Sequence, residues 1–183
     1  MTYQETLLQI KAENKEKALA SAIHLFVKKG IEPVKMTDIA EDAKIGVASL
    51  YRYFKVKDTL IIECGNKIWN DVLNKLIPSI IESTQKLTGF EQIKNLLSLY
   101  LVLYQDYKDY IRFLNEFDSY FLTHHLEKDS LKVYESKLED IYSYFEKAYT
   151  QGINDNTLKP LDNLKEYYNT LNHALMALLQ KNH

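Results

Sequence analysis

The stretch from Met36 to Leu60, MTDIAEDAKIGVASLYRYFKVKDTL, limits the possible folds of this chain more than any other. It reads as two short helices around a tight turn, with a third helix starting at its end. Thr37 is suited to be an N-cap, because its hydroxyl can accept from the free N–H groups of a first turn, and Asp38 then meets the positive end of the helix dipole. Ile39, Ala40 and Ala43 give the first helix a narrow apolar edge that lets a neighbour approach closely. Lys44-Ile45-Gly46 forms the turn, with Ile45 able to plug the space beneath it. The second helix, Val47 to Phe54, sends Leu50 and Phe54 inward at i, i+4 spacing and leaves Val47, Ala48, Ser49, Tyr51, Arg52 and Tyr53 on its other side. Such a pattern is a helix-turn-helix, a unit that lays its second helix in the major groove of DNA.

Thr37, Ile39-Ala40, Ala43, Leu50-Tyr51, Tyr53-Phe54, Lys57 and Leu60 stand in the register of a longer pattern, T-x-x-x-I-A-x-x-A-G-V-S-x-G-x-L-Y-x-Y/H-F-x-x-K-x-x-L. In these residues the chain resembles the tetracycline-repressor (TetR) family of bacterial regulators. With the preceding helix, the resemblance covers about one quarter of the chain; the remainder matches only in length and helical character. The run L-Y-x-Y-F followed by K-x-x-L makes it far more specific than a bare helix-turn-helix pattern. Two positions depart from the family. Lys44 stands where a turn glycine is usual, so a residue with a Cβ is expected at positive φ. Gly46 replaces the usual serine N-cap, a weaker but tolerated choice. The resemblance implies that Val47, Ala48 and Ser49 lie at the base edges, while Thr37, Tyr51, Tyr53 and Lys57 reach phosphates; Gly46 is counted with them among the DNA-binding residues. Val47 and Ala48 can offer only apolar contacts, for instance to thymine methyls; Arg52 has the chemistry to bind guanine, though its position is often turned away from the groove.

A net charge of −2 argues at first against a nucleic-acid partner, but residues 1–60 carry ten Lys and Arg against eight Asp and Glu, and the acidic excess falls in the rest. The basic groups thus gather, slightly, where DNA would lie. Only 5 glycines and 3 prolines occur in 183 residues, too few for the turns of an all-β fold, so the expected class is all-α. The lone Cys64 excludes an internal disulfide framework and fits a reducing compartment. Met1 to Lys17 lacks the apolar core of a secretory signal, and no uncharged apolar run reaches membrane-spanning length, so a soluble cytoplasmic protein is expected.

Along the chain the stripes predict about nine helices. Leu19, Ala22, Ile23, Phe26 and Val27 form a stripe that Gly30 ends, and Pro33 breaks any continuation. The helix opening at Lys57-Asp58 runs through Trp69 and Leu76 until Pro78 kinks or ends it. The domain boundary is placed there, giving 1–56 as the helix-turn-helix domain and 57–183 as a helical ligand-binding and dimerisation domain. No Gly/Ser linker separates the two, so they should be mechanically coupled. Thr88 and Glu91 have capping-box spacing, and Ile93 to Tyr104 is apolar nearly all round, which predicts a central, buried helix. Tyr107 to His125 reads as two shorter helices. Leu131, Tyr134, Leu138, Ile141, Phe145 and Ala148, then Leu164, Tyr167, Leu171, Ala174 and Leu178, repeat heptad-like steps on either side of a turn that Gly152 opens. That is a helical hairpin, expected to make a homodimer through 131–149 and 164–179 as a four-helix bundle.

Trp69, Tyr100, Tyr104, Phe113, Phe117, Tyr120 and Phe121 are either core or the lining of a ligand pocket, since such pockets are walled mostly by apolar and aromatic groups. The resemblance implies a pocket in this half. Glu116 and Asp118 lie among these rings and would favour a cationic aromatic ligand. His124-His125 with Asp129 invites a metal reading, but adjacent helical residues point about 100° apart and cannot share one ion, so no metal is expected. Cys64 reads as a small core residue. No nucleophile elbow, phosphate loop or zinc-protease motif occurs, so neither catalysis nor a cofactor has a foothold. The expected function is a dimeric regulator, released from a palindromic operator by a small-molecule effector. The alternative from another class is a helical-bundle ligand-binding protein or enzyme with no DNA function.

Overall fold

The computed structural model describes residues 2–84, 86–124 and 128–181, with the side chains of 128–130 excepted. The described residues are all helical or irregular, with no strand. The helices are α1 (Tyr3–Lys29), α2 (Met36–Asp42), α3 (Val47–Phe54), α4 (Lys57–Asp71), α5 (Ile77–Glu82), α6 (Gly89–Asp106), α7 (Lys108–Thr123), α8 (Lys128–Asn154) and α9 (Leu164–Lys181), with a π-helical turn, Val72–Leu76, joining α4 to α5. They gather into two compact units, one of residues 1–67 with 112–131, the other of 68–111 with 132–183. The first unit takes in, beyond residues 1–56, most of α4 and most of α7.

In the first unit the stripe of α1 meets the inner faces of α2 and α3. Ala22, Phe26, Ile39, Ala40, Leu50 and Phe54 are all wholly buried. Gly30 ends α1 at φ 81, and Ile31 and Val34 of the connector are buried beside it. The cap of α2 differs from the expected one. Lys35 is its N-cap residue, and the Asp38 carboxylate accepts the Lys35 backbone N–H at 2.9 Å. Thr37 therefore lies inside the first turn, with its side chain exposed. A carboxylate reaching back over the helix start does the work the hydroxyl was expected to do, and it also meets the dipole. Lys44 adopts φ 55, so the turn does place a Cβ in the left-handed region. From the other side Phe113 closes the core, its ring 6.2 Å from Phe26 and 5.9 Å from Phe117.

Pro78 neither ends nor sharply breaks the helix that begins at Lys57. The π turn precedes it, with the Ile77 N–H donating to Val72 O, five residues back. Proline has no N–H and crowds the carbonyl four residues earlier, and widening the preceding turn relieves both problems.

In the second unit α8 and α9 form the expected hairpin. Lys165 Nζ lies 2.6 Å from Glu139 Oε1, and the ring of Tyr168 packs 5.1 Å from those of Tyr142 and Phe145. The turn is closed by Tyr149, whose hydroxyl accepts the Leu161 N–H at 2.7 Å and donates to Lys159 O. Gly152 does not stop α8, which continues to Asn154. The end is made by Asn156 at φ 59, with the N–H groups of Thr157 and Leu158 folding back to Gly152 O. Helix α6 starts at the expected capping box of Thr88 and Glu91. It is not buried all round: Leu99 and Leu103 are buried, but Leu101 is 63% exposed and Tyr104 39%. Helix α7 is one helix rather than two.

Candidate nucleic-acid interface and ligand cavity

Helix α3 is held by its two buried side chains, Leu50 and Phe54, so its opposite side is fixed in orientation. Val47, Ala48, Tyr51 and Arg52 are exposed there, with Ser49 and Tyr53 half-buried. Gly46 is the N-cap residue, and no side chain caps the helix. The first N–H groups of α3, which have no partner within the helix, are left for water or a phosphate. Arg52 turns back: Nη2 donates to Ser49 Oγ at 3.3 Å, and the guanidinium lies 5.6 Å from the centre of the Tyr53 ring. Its planar fork must leave these partners to reach a base. Thr37, Lys35, Lys44 and Lys55 are also exposed around this surface.

Lys57 has a second task. Its ammonium donates to Ile31 O at 2.5 Å and to Glu32 O at 3.0 Å, pinning the α1–α2 connector to the start of α4. Burial lowers its pKa below the ordinary lysine value, and the nearby Glu32, Asp58 and Asp38 oppose the shift. Next to it, Tyr120 of α7 donates its hydroxyl to Asp58 Oδ1 at 2.8 Å, and its ring stacks on His124 at 4.0 Å. His124 Nε2 reaches Glu32 Oε1 at 2.8 Å. Burial first, and the Asp58 carboxylate second, push the Tyr120 phenol well above its usual range, so it remains a donor. His125 lies outside the described residues, as does the side chain of Asp129. Lys15, half-buried on α1 with its ammonium 5.6 Å from the centre of the Phe54 ring, reaches Glu63 of α4 at 3.4 Å.

The seven aromatic candidates do not come together. Trp69 and Tyr100 line a cavity of about 310 Å³ in the second unit, bounded by α4, α6, α8 and α9. Phe113 and Phe117 are buried in the core of the first unit beside Phe26, Tyr120 is tied to Asp58, and Phe121 is 39% exposed. Tyr104 is exposed on α6. The sequence reading missed the residues that complete the cavity wall, chiefly Tyr142, Tyr168, Asn172 and Met176. The one available signal was Tyr168 with Asn172 at i, i+4 on α9. That places two polar groups along the edge of a stripe otherwise read as a dimer seam.

Residues 36–54 thus form a helix-turn-helix module whose second helix presents a free face. Residues 18–64 match the profile of the bacterial regulatory proteins, tetR family. The chain is 27% identical over 128 residues to the uncharacterised HTH-type transcriptional regulator YerO of Bacillus subtilis (strain 168), the match covering 65% of this chain and 44% of YerO. The likeness therefore spans less than half of that relative. The fold is similar to that of a TetR family transcription regulator from Marinobacter aquaeolei VT8, at a TM-score of 0.68 and 16% identity over 94% of this chain and 85% of that one. It is also similar to FadR of Bacillus subtilis, solved in complex with stearoyl-CoA, at a TM-score of 0.61 and 15% identity over 91% and 85% of the two chains.

Proposed function

We propose that this protein is a dimeric, DNA-binding transcriptional regulator that leaves a palindromic operator when a small molecule binds its second unit. The observation that carries the reading is the outward face of α3, where Val47, Ala48, Tyr51 and Arg52 are exposed while Leu50 and Phe54 lock the helix from behind. Val47, Ala48 and Ser49 read base edges; Thr37, Tyr51, Tyr53 and the third N–H of the Lys57 ammonium contact phosphates. A ligand in the cavity touches Trp69 on α4, the helix that begins at Lys57, and so can bias the DNA-reading unit by moving that helix. FadR, solved with stearoyl-CoA, supports small-molecule readout in this fold. The ligand can shift the equilibrium only by its difference in affinity for the two arrangements.

Selection of bound duplexes from random DNA, followed by titration at several salt concentrations, tests the DNA arm. With the selected duplex, Lys57→Ala is expected to weaken every sequence alike and to lower the salt slope by about 1. Val47→Ala should instead change which base is preferred at one position of each half-site. A salt slope unaltered in Lys57→Ala would mean that the ammonium only braces Ile31 and Glu32.

The dimer is assigned to 131–149 and 164–179. Ile141 and Leu171 line spaces within one chain, whereas Tyr167 is 53% and Leu178 59% exposed on α9. An apolar row of this kind is what a second copy would cover, each copy offering the same face across a two-fold axis. Leu178→Asp, present twice at such an interface, is expected to weaken the dimer by about 3 kcal/mol or more, roughly a hundredfold. Sedimentation would then show monomers at micromolar protein. Dimers persisting in Leu178→Asp and in Tyr167→Asp would place the interface elsewhere.

A further inference from the structure

We propose that the cavity bounded by α4, α6, α8 and α9 takes an organic monocation with an aromatic body, and that the ammonium of Lys165 is the resident competitor for the seat of its charged head. This deepens the reading of the chain as an effector-responsive regulator and rests on it for the operator consequence, though not for the binding.

The seat already holds a cation that belongs to the chain. Lys165 Nζ lies 2.6 Å from both Glu139 Oε1 and Glu139 Oε2, and 5.3 Å from the centre of the Tyr142 ring. A carboxylate on one side and a ring face on the other suit an ammonium, by charge-assisted hydrogen bonds and by the ring quadrupole. The ring is fixed independently of Lys165. Tyr168 packs 5.1 Å from it, and the Tyr142 hydroxyl donates to Glu146 Oε1 at 3.3 Å. Lys165 is also the second residue of α9, where the helix dipole favours an acid over a base. Local helix chemistry does not account for a lysine at that position; its partners across on α8 do.

Behind the seat there is room for a body. Glu139, Tyr142 and Lys165 line a cavity of about 310 Å³ together with Trp69, Leu103 and Met176. The charged members of this wall are exposed, whereas Trp69 and Leu103 are buried. The volume stands at the lower end of small-molecule sites, which run from about 300 to 1,000 Å³, and suits a bicyclic ring system with a short charged arm.

The resident lysine is easily displaced. The Glu139 and Lys165 side chains are 58% and 49% exposed, and a pair so open to water is worth no more than about fivefold in an equilibrium. A ligand cation repeats the contacts of the ammonium and adds burial of its rings, which Lys165 cannot. Other charge types fare worse. Glu135 stands one turn before Glu139 on the same face of α8 and lines the same cavity. An anion would have to draw Lys165 off Glu139 and then sit beside two carboxylates. Glu116 and Asp118, from which the sequence suggested a cationic ligand, belong to the first unit and take no part. Nor does a dimer through Tyr167 and Leu178 close the mouth, because they stand about 200° and 220° round α9 from Lys165.

The test uses one ring system with three heads: 2-naphthylmethylammonium, 2-naphthylmethanol and 2-naphthoate. Each is titrated calorimetrically into the whole chain at neutral pH, with emission of Trp69, the only tryptophan, as a second readout. The ammonium is expected to bind most tightly and the naphthoate least. Lys165→Met keeps the stem and removes the charge; it should tighten the ammonium about tenfold and leave the alcohol nearly unchanged. In Glu139→Gln the seat is gone, and adding Lys165→Met to that variant should bring the ammonium no gain. This cycle separates competition for one seat from the general effect of removing a positive charge, which would persist without Glu139. Both side chains are exposed, so the variants should keep the wild-type circular dichroism and melting temperature. Unchanged ammonium affinity in Lys165→Met, an equal gain for the alcohol, or the same gain in the Glu139→Gln background would each overturn the proposal. So would the absence of ammonium binding at millimolar concentration in both the wild type and Lys165→Met. Operator release is measured separately. An ammonium that binds as described without weakening the operator complex would sink the release mechanism and leave the ligand class standing.

Discussion

Phe113→Ala is expected to unfold the helix-turn-helix unit at temperatures where the wild-type chain is intact. The ring is wholly buried, stacked 6.2 Å from Phe26 of α1 and tilted 5.9 Å from Phe117 of its own helix. Phe26 is itself wholly buried against the elements that position α3. Truncating a core phenylalanine costs about 3–5 kcal/mol, the transfer term plus the cavity left behind, and removes ring–ring contacts worth about 1 kcal/mol more. Stabilities of small domains are about 5–15 kcal/mol, so the loss is a large fraction of the total. Chemical denaturation followed by far-ultraviolet circular dichroism, with operator binding at the same temperature, checks it. If Phe113 instead lines a ligand site, the variant would keep its stability and lose only ligand affinity. Unchanged denaturation would therefore refute its assignment to the core.

Gly89→Ala should be nearly as damaging, for a different reason. Gly89 opens α6 against the last turns of α8. A Cβ there would stand 2.0 Å from the nitrogen of Gly152, 2.2 Å from its Cα and 2.6 Å from the carbonyl oxygen of Ala148. These are backbone atoms of a helix and cannot swing aside, so α6 must lift from α8. Lifting breaks two ties that hold the start of α6, the Gly89 N–H to Asp155 Oδ2 at 2.8 Å and the Phe90 N–H to Thr157 Oγ1 at 3.2 Å. We expect a loss of about 3 kcal/mol, the upper range for overpacking, which for a chain of this length lowers the melting temperature by roughly 10 °C. Gly152→Ala should also destabilise, because its Cβ would meet Leu158 Cδ1 at 2.4 Å, but that flexible side-chain tip can move and the loss should be smaller. A melting temperature within a degree of wild type in Gly89→Ala would mean the two helices do not meet this closely. Asp155 also gives this contact a pH dependence. Hydrogen bonds from Thr157 and the Gly89 backbone hold its carboxyl below the ordinary carboxylate range. A carboxylate with a lowered folded pKa stabilises above its unfolded value, and the contribution is lost as pH falls through the folded one. Acid should thus loosen the start of α6, and neutral pH should not.

What was legible in the sequence was local. The two helices and turn of 36–54, the start of α4 at Lys57, the Gly30 stop and the Thr88–Glu91 box each depend on residues a few positions apart, where spacing and side-chain chemistry decide conformation. Lys44 at positive φ follows from the same short range. Even there, two neighbouring groups can compete for one role: Asp38 rather than Thr37 serves the start of α2, and nothing in the sequence ranks a carboxylate that reaches back above a hydroxyl in place. Distant partners were not legible. An aromatic residue on a helical stripe is equally fit to fill a core or to wall a cavity, and only the elements opposite it choose. Phe113 found Phe26, ninety positions away in the chain by rough count, while Trp69 found Tyr134 and an open space. Gly152 read as a helix stop because glycine's freedom is a local property, whereas its use here is the absence of a side chain where Leu158 folds back against α8. The cavity wall as a whole depends on α4, α6, α8 and α9 meeting, so no spacing along one helix announces it. Local free energies belong to the sequence; which faces are left without a partner is decided only when the helices pack.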